Sequence, residues 1–116
     1  MTPKPTKKSK PMHPMEVDVG FKKFKIVQTA LTKENLYGMV EFTKNTLTID
    51  PNQDLIDYKS TLLHEIFHIG FDIFGLGADE DMPTIGNEFL TSVSANMVIL
   101  IASLNRELFE FIFSDE

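Results

Sequence analysis

The chain has 116 residues, of which 42% are hydrophobic, so its length and composition fit one domain with a modest core. It contains no cysteine, which excludes a disulfide scaffold and leaves histidine and carboxylate side chains as the metal ligands. The formal net charge of −6 argues against direct nucleic-acid binding by the body of the protein.

Residues 1–15 are rich in lysine and proline, and we predict that they form a flexible arm. They contain no apolar run long enough for a secretory signal. Residues 1–25 carry seven lysines against two acids, whereas residues 26–116 carry four basic residues against fifteen acids. A basic arm can contact nucleic acid or an acidic partner, but such runs more commonly serve solubility, and we prefer that interpretation.

The region from Glu16 to Thr48 predicts a small sheet, because its apolar residues fall in short alternating or clustered runs. They are Val17, Phe24, Ile26, Val27, Leu36, Val40, Phe42 and Leu47, followed by Ile49. A tight turn at Lys44-Asn45 would make Leu36–Phe42 and Leu47–Ile49 antiparallel neighbours, since asparagine tolerates positive φ.

The segment from Asp54 to Phe74 predicts an amphipathic helix, because its apolar residues recur at intervals of three and four. They are Leu55, Tyr58, Leu62, Ile66, Ile69 and Ile73. No proline interrupts the segment. Asp50 and Asn52 offer capping side chains before it, and Gly75 and Gly77 can end it in the left-handed conformation.

The pentapeptide His64-Glu65-Ile66-Phe67-His68 lies in the middle of this helix. Positions four apart on a helix differ by about 40° in direction, so both imidazoles can converge on one metal ion. Glu65 can take a proton from a metal-bound water whose pKa has been lowered towards ~7, which favours peptide hydrolysis. The competing interpretation is a core helix with two partly buried histidines and a solvated glutamate.

A catalytic zinc site needs a third protein ligand. Asp72, on the same helix, is better suited to a cap or to a hydrogen bond with a ligand. Asp79, Glu80 and Asp81 form an acidic loop, and Glu88 lies near the start of the next long segment, which aims it back at the motif. We prefer Glu88, whose alternative role is that of an acid stabilised by the helix macrodipole.

The segment from Ile85 to Phe113 predicts one long C-terminal helix that packs against the first. Its contact residues would be Phe89, Val93, Leu100, Leu104, Leu108 and Ile112. The apolar stretch Val98–Ala102 is too short to span a membrane, and either burial or a homodimer face explains it.

In this order of elements the chain resembles the small gluzincin metallopeptidases, in particular the phage-encoded branch of the ImmA/IrrE-like group. The resemblance covers roughly residues 20–113. Its carriers are Asn35-Leu36-Tyr37-Gly38, Thr48-Ile49-Asp50, Thr61-Leu62-Leu63 with the HExxH motif, and Asn87-Glu88-Phe89.

The resemblance implies a minimal zincin-like domain in which His64, His68 and Glu88 bind Zn²⁺ and Glu65 is the general base. It also implies endopeptidase activity, often against a repressor or regulator, in the cytoplasm of a bacterial or phage-infected cell. The family often supplies a tyrosine or histidine to stabilise the oxyanion, and Tyr37 is the better placed of the two tyrosines. Classical gluzincins commonly have an acid four residues after the glutamate ligand, where it holds a histidine by a hydrogen bond. This chain departs from that pattern, because it has Ser92 there.

The sequence therefore predicts an α+β protein with a flexible arm at 1–15 and one domain at 16–116. Within that domain a small antiparallel sheet precedes the HExxH helix and a long C-terminal helix. The predicted function is zinc-dependent cleavage of an unidentified protein substrate, with no membrane partner. The alternatives are a zinc-containing module that captures a regulatory protein with little or no turnover, and a hydrolase acting on a non-peptide amide or ester.

Overall fold

A computed structural model describes residues 11–75 and 87–115, with the side chains of residues 87–91 left out. The architecture is α+β, as predicted, with a four-stranded sheet and three helices in the described part. The elements are β1 (Glu16–Asp18), β2 (Lys23–Gln28), β3 (Gly38–Glu41), β4 (Thr46–Ile49), α1 (Leu55–Ile73), α2 (Asn87–Leu104) and α3 (Arg106–Phe113).

The sheet has the order β1-β2-β4-β3 and is mixed. β1 pairs with β2 and β3 pairs with β4, both antiparallel, so the prediction that the last two strands are neighbours is confirmed. The prediction of a purely antiparallel sheet is wrong, because β2 and β4 run parallel. After β2 the chain crosses to the outer edge to form β3, and β4 then returns between them, where Leu47, Thr48 and Ile49 are buried.

The connection between β3 and β4 is longer than a two-residue turn. A 3₁₀ turn spans Phe42–Lys44, and Asn45 follows it with φ +49°. The expected use of asparagine in a left-handed position is therefore confirmed, although it closes a 3₁₀ turn.

α1 crosses one face of the sheet and begins one residue after Asp54. Its buried apolar side chains, Tyr58, Leu62, Ile66 and Ile69, are four of those predicted to form the core face. They pack with Phe24, Ile26 and Leu47 from the sheet, and Gly75 ends the helix with φ +81°, as expected. Gly77 lies outside the described residues.

Asp50 does not cap α1, which corrects the predicted cap. Its carboxylate accepts hydrogen bonds from the backbone N–H groups of Leu31 (3.0 Å) and Asn52 (2.9 Å). It is 2% exposed, so it ties the loop before β3 to the end of β4. Asn52 is exposed beside it.

The predicted long C-terminal helix is in fact two helices, α2 and α3, which meet at Asn105. The Asn105 side chain donates to the carbonyls of Asp18 and Ile101 and accepts from the Asp18 N–H, each at 2.8 Å. An asparagine side chain that bonds to the backbone competes with continuation of a helix. Here the hydrogen bonds of Asn105 also link the helix break to β1.

The packing face of α2 also differs from the prediction. Met97 and Ile101 are buried, whereas Leu100 and Leu104 are about 40% exposed. Phe89 belongs to the residues whose side chains are not described. In α3 the predicted contacts Leu108 and Ile112 are buried.

The described end of the N-terminal arm lies against the domain. His13 contacts the rings of Tyr58 and Phe111, and the carbonyl of Pro11 accepts a hydrogen bond from the Gln28 side chain (3.3 Å). No helix within residues 11–75 and 87–115 is long and apolar enough to cross a membrane.

Candidate metal and catalytic site

His64 and His68 project from the exposed side of α1, one helical turn apart. Their Nε2 atoms are 3.1 Å apart and their ring centroids 4.7 Å apart. Two nitrogens bound at 2.0–2.1 Å to one tetrahedral zinc ion would be separated by roughly 3.3 Å. The pair therefore has nearly the separation that a shared ion needs, and without an ion the same geometry is a hydrogen bond between the rings.

Glu65 occupies a different environment from the two histidines that flank it in the motif. It is 7% exposed, because it faces the sheet at β3, whereas both histidines are exposed. Burial raises the pKa of the Glu65 carboxyl, and the charges of His68 and His64 oppose that rise. A carboxyl group held in this way suits a proton acceptor and donor better than an ordinary surface glutamate does.

The third predicted ligand belongs to the start of α2. Glu88 is the second residue of that helix, and its side chain lies outside the described ones. Asp79, Glu80 and Asp81 also lie outside the described residues. Asp72 is exposed on α1, one turn after His68. Within the part of the chain that the structure describes, no three ligand-type side chains come together, and the visible site is the histidine pair.

Tyr37 immediately precedes β3, and its side chain is 66% exposed. Its carbonyl accepts hydrogen bonds from the Asp50 N–H (2.9 Å) and from the Gln53 side chain (3.2 Å). Tyr37 lines a cleft with Ser60 and Thr61, and Ser60 also lines the groove beside the histidines. The predicted oxyanion residue thus stands in a cleft that adjoins the motif.

An apolar groove of about 320 Å³ runs along α1 beside the two histidines. Its lining includes Leu63, Phe67 and Phe71, all half-buried. None of these three residues is among the site residues predicted from the sequence. Their spacing of four was the available signal, since it marks a second apolar stripe on a helix whose core stripe is already complete.

A hydrogen-bonded clamp between β3 and α1, centred on Gln53, is a second feature that the sequence does not predict. The buried Gln53 amide donates to the carbonyls of Tyr37 (3.2 Å) and Asp50 (2.7 Å), and its oxygen accepts from the Thr61 hydroxyl (2.9 Å). No local pattern marks Gln53, because its partners are brought together by the fold.

No family model, curated protein or solved structure matches the chain. The fold and the geometry of the site define an α+β domain with a helix that packs on one face of its sheet and carries a pair of histidines and a buried glutamate.

Proposed function

We propose that this protein is a zinc-dependent endopeptidase with a minimal zincin-like domain. The observation that carries the proposal is the convergence of the His64 and His68 Nε2 atoms to 3.1 Å, with the buried Glu65 between them in sequence. The resemblance to the ImmA/IrrE-like group supports a protein substrate, such as a repressor or other regulator, and a cytoplasmic location.

His64 and His68 would hold the ion, with Glu88 as the third ligand from α2. When bound, zinc would polarise the peptide carbonyl and lower the pKa of a water molecule. The chain's own contribution is to fix the two histidine ligands on one rigid helix, since both lie within α1.

Glu65 would move the proton. Its carboxylate takes a proton from the attacking water while the water oxygen adds to the carbonyl carbon. The same carboxyl then gives that proton to the amide nitrogen as the C–N bond breaks. Burial brings the pKa of Glu65 closer to neutrality, so one group can accept and return the proton at the working pH.

β3 would align the substrate. It is an edge strand, and among the described residues it pairs with β4 alone. An extended peptide can add to such an edge through main-chain hydrogen bonds, which would lead its carbonyls past the histidines. The apolar groove lined by Leu63, Phe67 and Phe71 would accept an apolar side chain of that peptide.

The decisive experiment combines metal analysis with cleavage. Zinc per chain is measured by mass spectrometry for the parent, Glu65→Gln, Glu88→Ala and the control Glu107→Ala, which removes an exposed acid on α3. Each protein is then incubated with a proteome-derived peptide library. We expect one zinc and cleavage for the parent and the control, zinc without cleavage for Glu65→Gln, and weakened zinc binding for Glu88→Ala.

A parent that binds no zinc would overturn the proposal. Zinc without cleavage of any peptide would favour the capture module instead. Cleavage of small esters or non-peptide amides, with peptides untouched, would favour the other hydrolase.

A further inference from the structure

Gly38 is the first residue of β3, and its backbone does not require glycine. The described glycines with φ in the left-handed region are Gly20 and Gly75, and Gly38 is not among them. Glycine weakens a strand, so its presence inside one commonly marks a place where another group approaches closely. The reason for Gly38 is therefore to be found in what lies against it.

Two side chains of α1 lie against Gly38. A Cβ atom at this position would be 2.8 Å from Thr61 Cγ2, 3.1 Å from Glu65 Cγ and 3.4 Å from Glu65 Oε2. The first distance is too short for any real contact between carbon atoms, and the second requires Glu65 to shift. An added methyl group would thus press on the stem of the general base.

The Gln53 clamp opposes a separation of β3 and α1 that would make room. Gln53 holds the carbonyl of Tyr37, the residue before Gly38, and at the same time binds the hydroxyl of Thr61, the side chain that the methyl would meet first. Gln53 is itself 8% exposed, so breaking these bonds would leave buried polar atoms without partners.

We propose that Gly38 is a positioning residue for Glu65. Because Gly38 has no side chain, β3 can lie directly against the Thr61 and Glu65 side chains, and this contact fixes the direction of the Glu65 carboxylate beside the two histidines. The catalytic consequence of this contact rests on the proposed peptidase function, whereas the contact itself can be tested without it.

The test compares the parent with Gly38→Ala, Thr61→Ser and the double variant. Thr61→Ser removes the methyl group at 2.8 Å and keeps the hydroxyl that binds Gln53. Gly70→Ala is the control for packing damage, because a Cβ at Gly70 would meet Met97 and Ile101 in the core and not Glu65. The first readout is NMR of the metal-free proteins, with the carboxyl ¹³C shift of Glu65 and the nuclear Overhauser effects from the Gly38 Hα protons.

We expect the parent to show contacts from Gly38 to the Thr61 methyl and the Glu65 Hγ protons. Gly38→Ala should displace the Glu65 carboxyl resonance, and adding Thr61→Ser should move it back towards the parent. Gly70→Ala should lower the melting temperature and leave that resonance in place. Zinc content should stay at one per chain in Gly38→Ala, because the three atoms nearest to the new methyl group belong to Thr61 and Glu65 and not to a histidine.

The second readout is kcat and KM on the library peptide that the parent cleaves fastest. Gly38→Ala should lower kcat by roughly 10- to 100-fold, the loss expected when a reacting group is misplaced by about an ångström. The double variant should recover part of that loss, and Thr61→Ser alone should resemble the parent.

An unmoved Glu65 resonance in Gly38→Ala would overturn the inference, and so would a double variant no different from Gly38→Ala. An unchanged kcat with a lower melting temperature would reduce Gly38 to a packing role. A parent that cleaves nothing would count against the proposed function, and the NMR comparison would still decide whether Gly38 positions Glu65.

Discussion

Among the residues that the structure describes, burial changes the proton affinity of three side chains. It lowers the pKa of His13 and raises the pKa values of Tyr58 and Glu65. In each case burial favours the neutral form, which is the direction that desolvation dictates. Two of the three, His13 and Tyr58, are hydrogen-bonded to each other at 2.6 Å.

The bonding around His13 fixes which nitrogen carries the proton. Nδ1 lies 2.7 Å from the Pro14 carbonyl, which can only accept, so Nδ1 is the donor. Neutral Nε2 then accepts from the Tyr58 hydroxyl, whose oxygen accepts in turn from the Gln28 amide (2.7 Å). Protonation of His13 would turn Nε2 into a donor, so that Nε2 and the Gln28 amide would both donate to the Tyr58 hydroxyl oxygen.

We predict that His13→Gln makes stability less sensitive to acid. The folded pKa of His13 is depressed, so its contribution is complete above the unfolded value of about 6.5 and is lost as the pH falls through the folded pKa. Glutamine can accept from Tyr58 without titrating. Urea unfolding between pH 7.5 and 4.5 should show a shallower loss for His13→Gln, and an equal loss in both proteins would contradict the role given to His13.

We also predict that Glu65→Gln stabilises the metal-free protein at neutral and higher pH. The folded pKa of Glu65 is raised, so the stability linked to its protonated form is present at low pH and is lost as the pH rises through the folded pKa. Glutamine avoids the buried charge. In thermal melts with chelator, the melting temperature of Glu65→Gln should exceed that of the parent at pH 8, and the difference should narrow towards pH 4. A variant less stable than the parent at pH 8 would refute this.

The junction between α2 and α3 depends on Asn105, which is 8% exposed. Asn105→Ala would leave the Asp18 N–H and the Asp18 carbonyl without their side-chain partner. We expect a loss of about 1–3 kcal/mol in the free energy of unfolding. Ser103→Ala, which removes an exposed hydroxyl two residues away, is the control, and equal losses in the two variants would show that Asn105 has no special role.

Helix α1 could be predicted from sequence because its determinants are local. Its apolar residues recur at a helical period, and Gly75 follows at its C-terminal end. The histidine pair follows from the same period, because its members are one turn apart. The break at Asn105 could not be predicted in this way, because two of its three side-chain hydrogen bonds are to the backbone of Asp18, 87 residues earlier. The parallel pairing of β2 with β4 and the clamp at Gln53 also depend on tertiary contacts.

For the molecule as a whole, we predict that zinc raises the stability of the native state. A ligand that binds only the folded chain, at 100 times its Kd, adds about 2.7 kcal/mol. Thermal melts with zinc and with chelator should therefore differ for the parent and coincide for the His64→Ala/His68→Ala variant. A zinc-dependent shift that survives in the double variant would place the metal elsewhere.

The order of the strands has a consequence for how the chain reaches this structure. The β1–β2 and β3–β4 pairs are hairpins that need only nearby residues, whereas the sheet is complete only when Lys25 and its neighbours meet Thr46 and its neighbours. The loop between β2 and β4 is longer than either hairpin loop, so its closure costs more chain entropy. We therefore expect the pairing of β2 with β4 to limit the folding rate. Kinetic φ-values for Leu47→Ala in β4 that are well above those for variants in β1 would be its signature. β4, the last of the four described strands in the sequence, would then be the strand that nucleates the sheet.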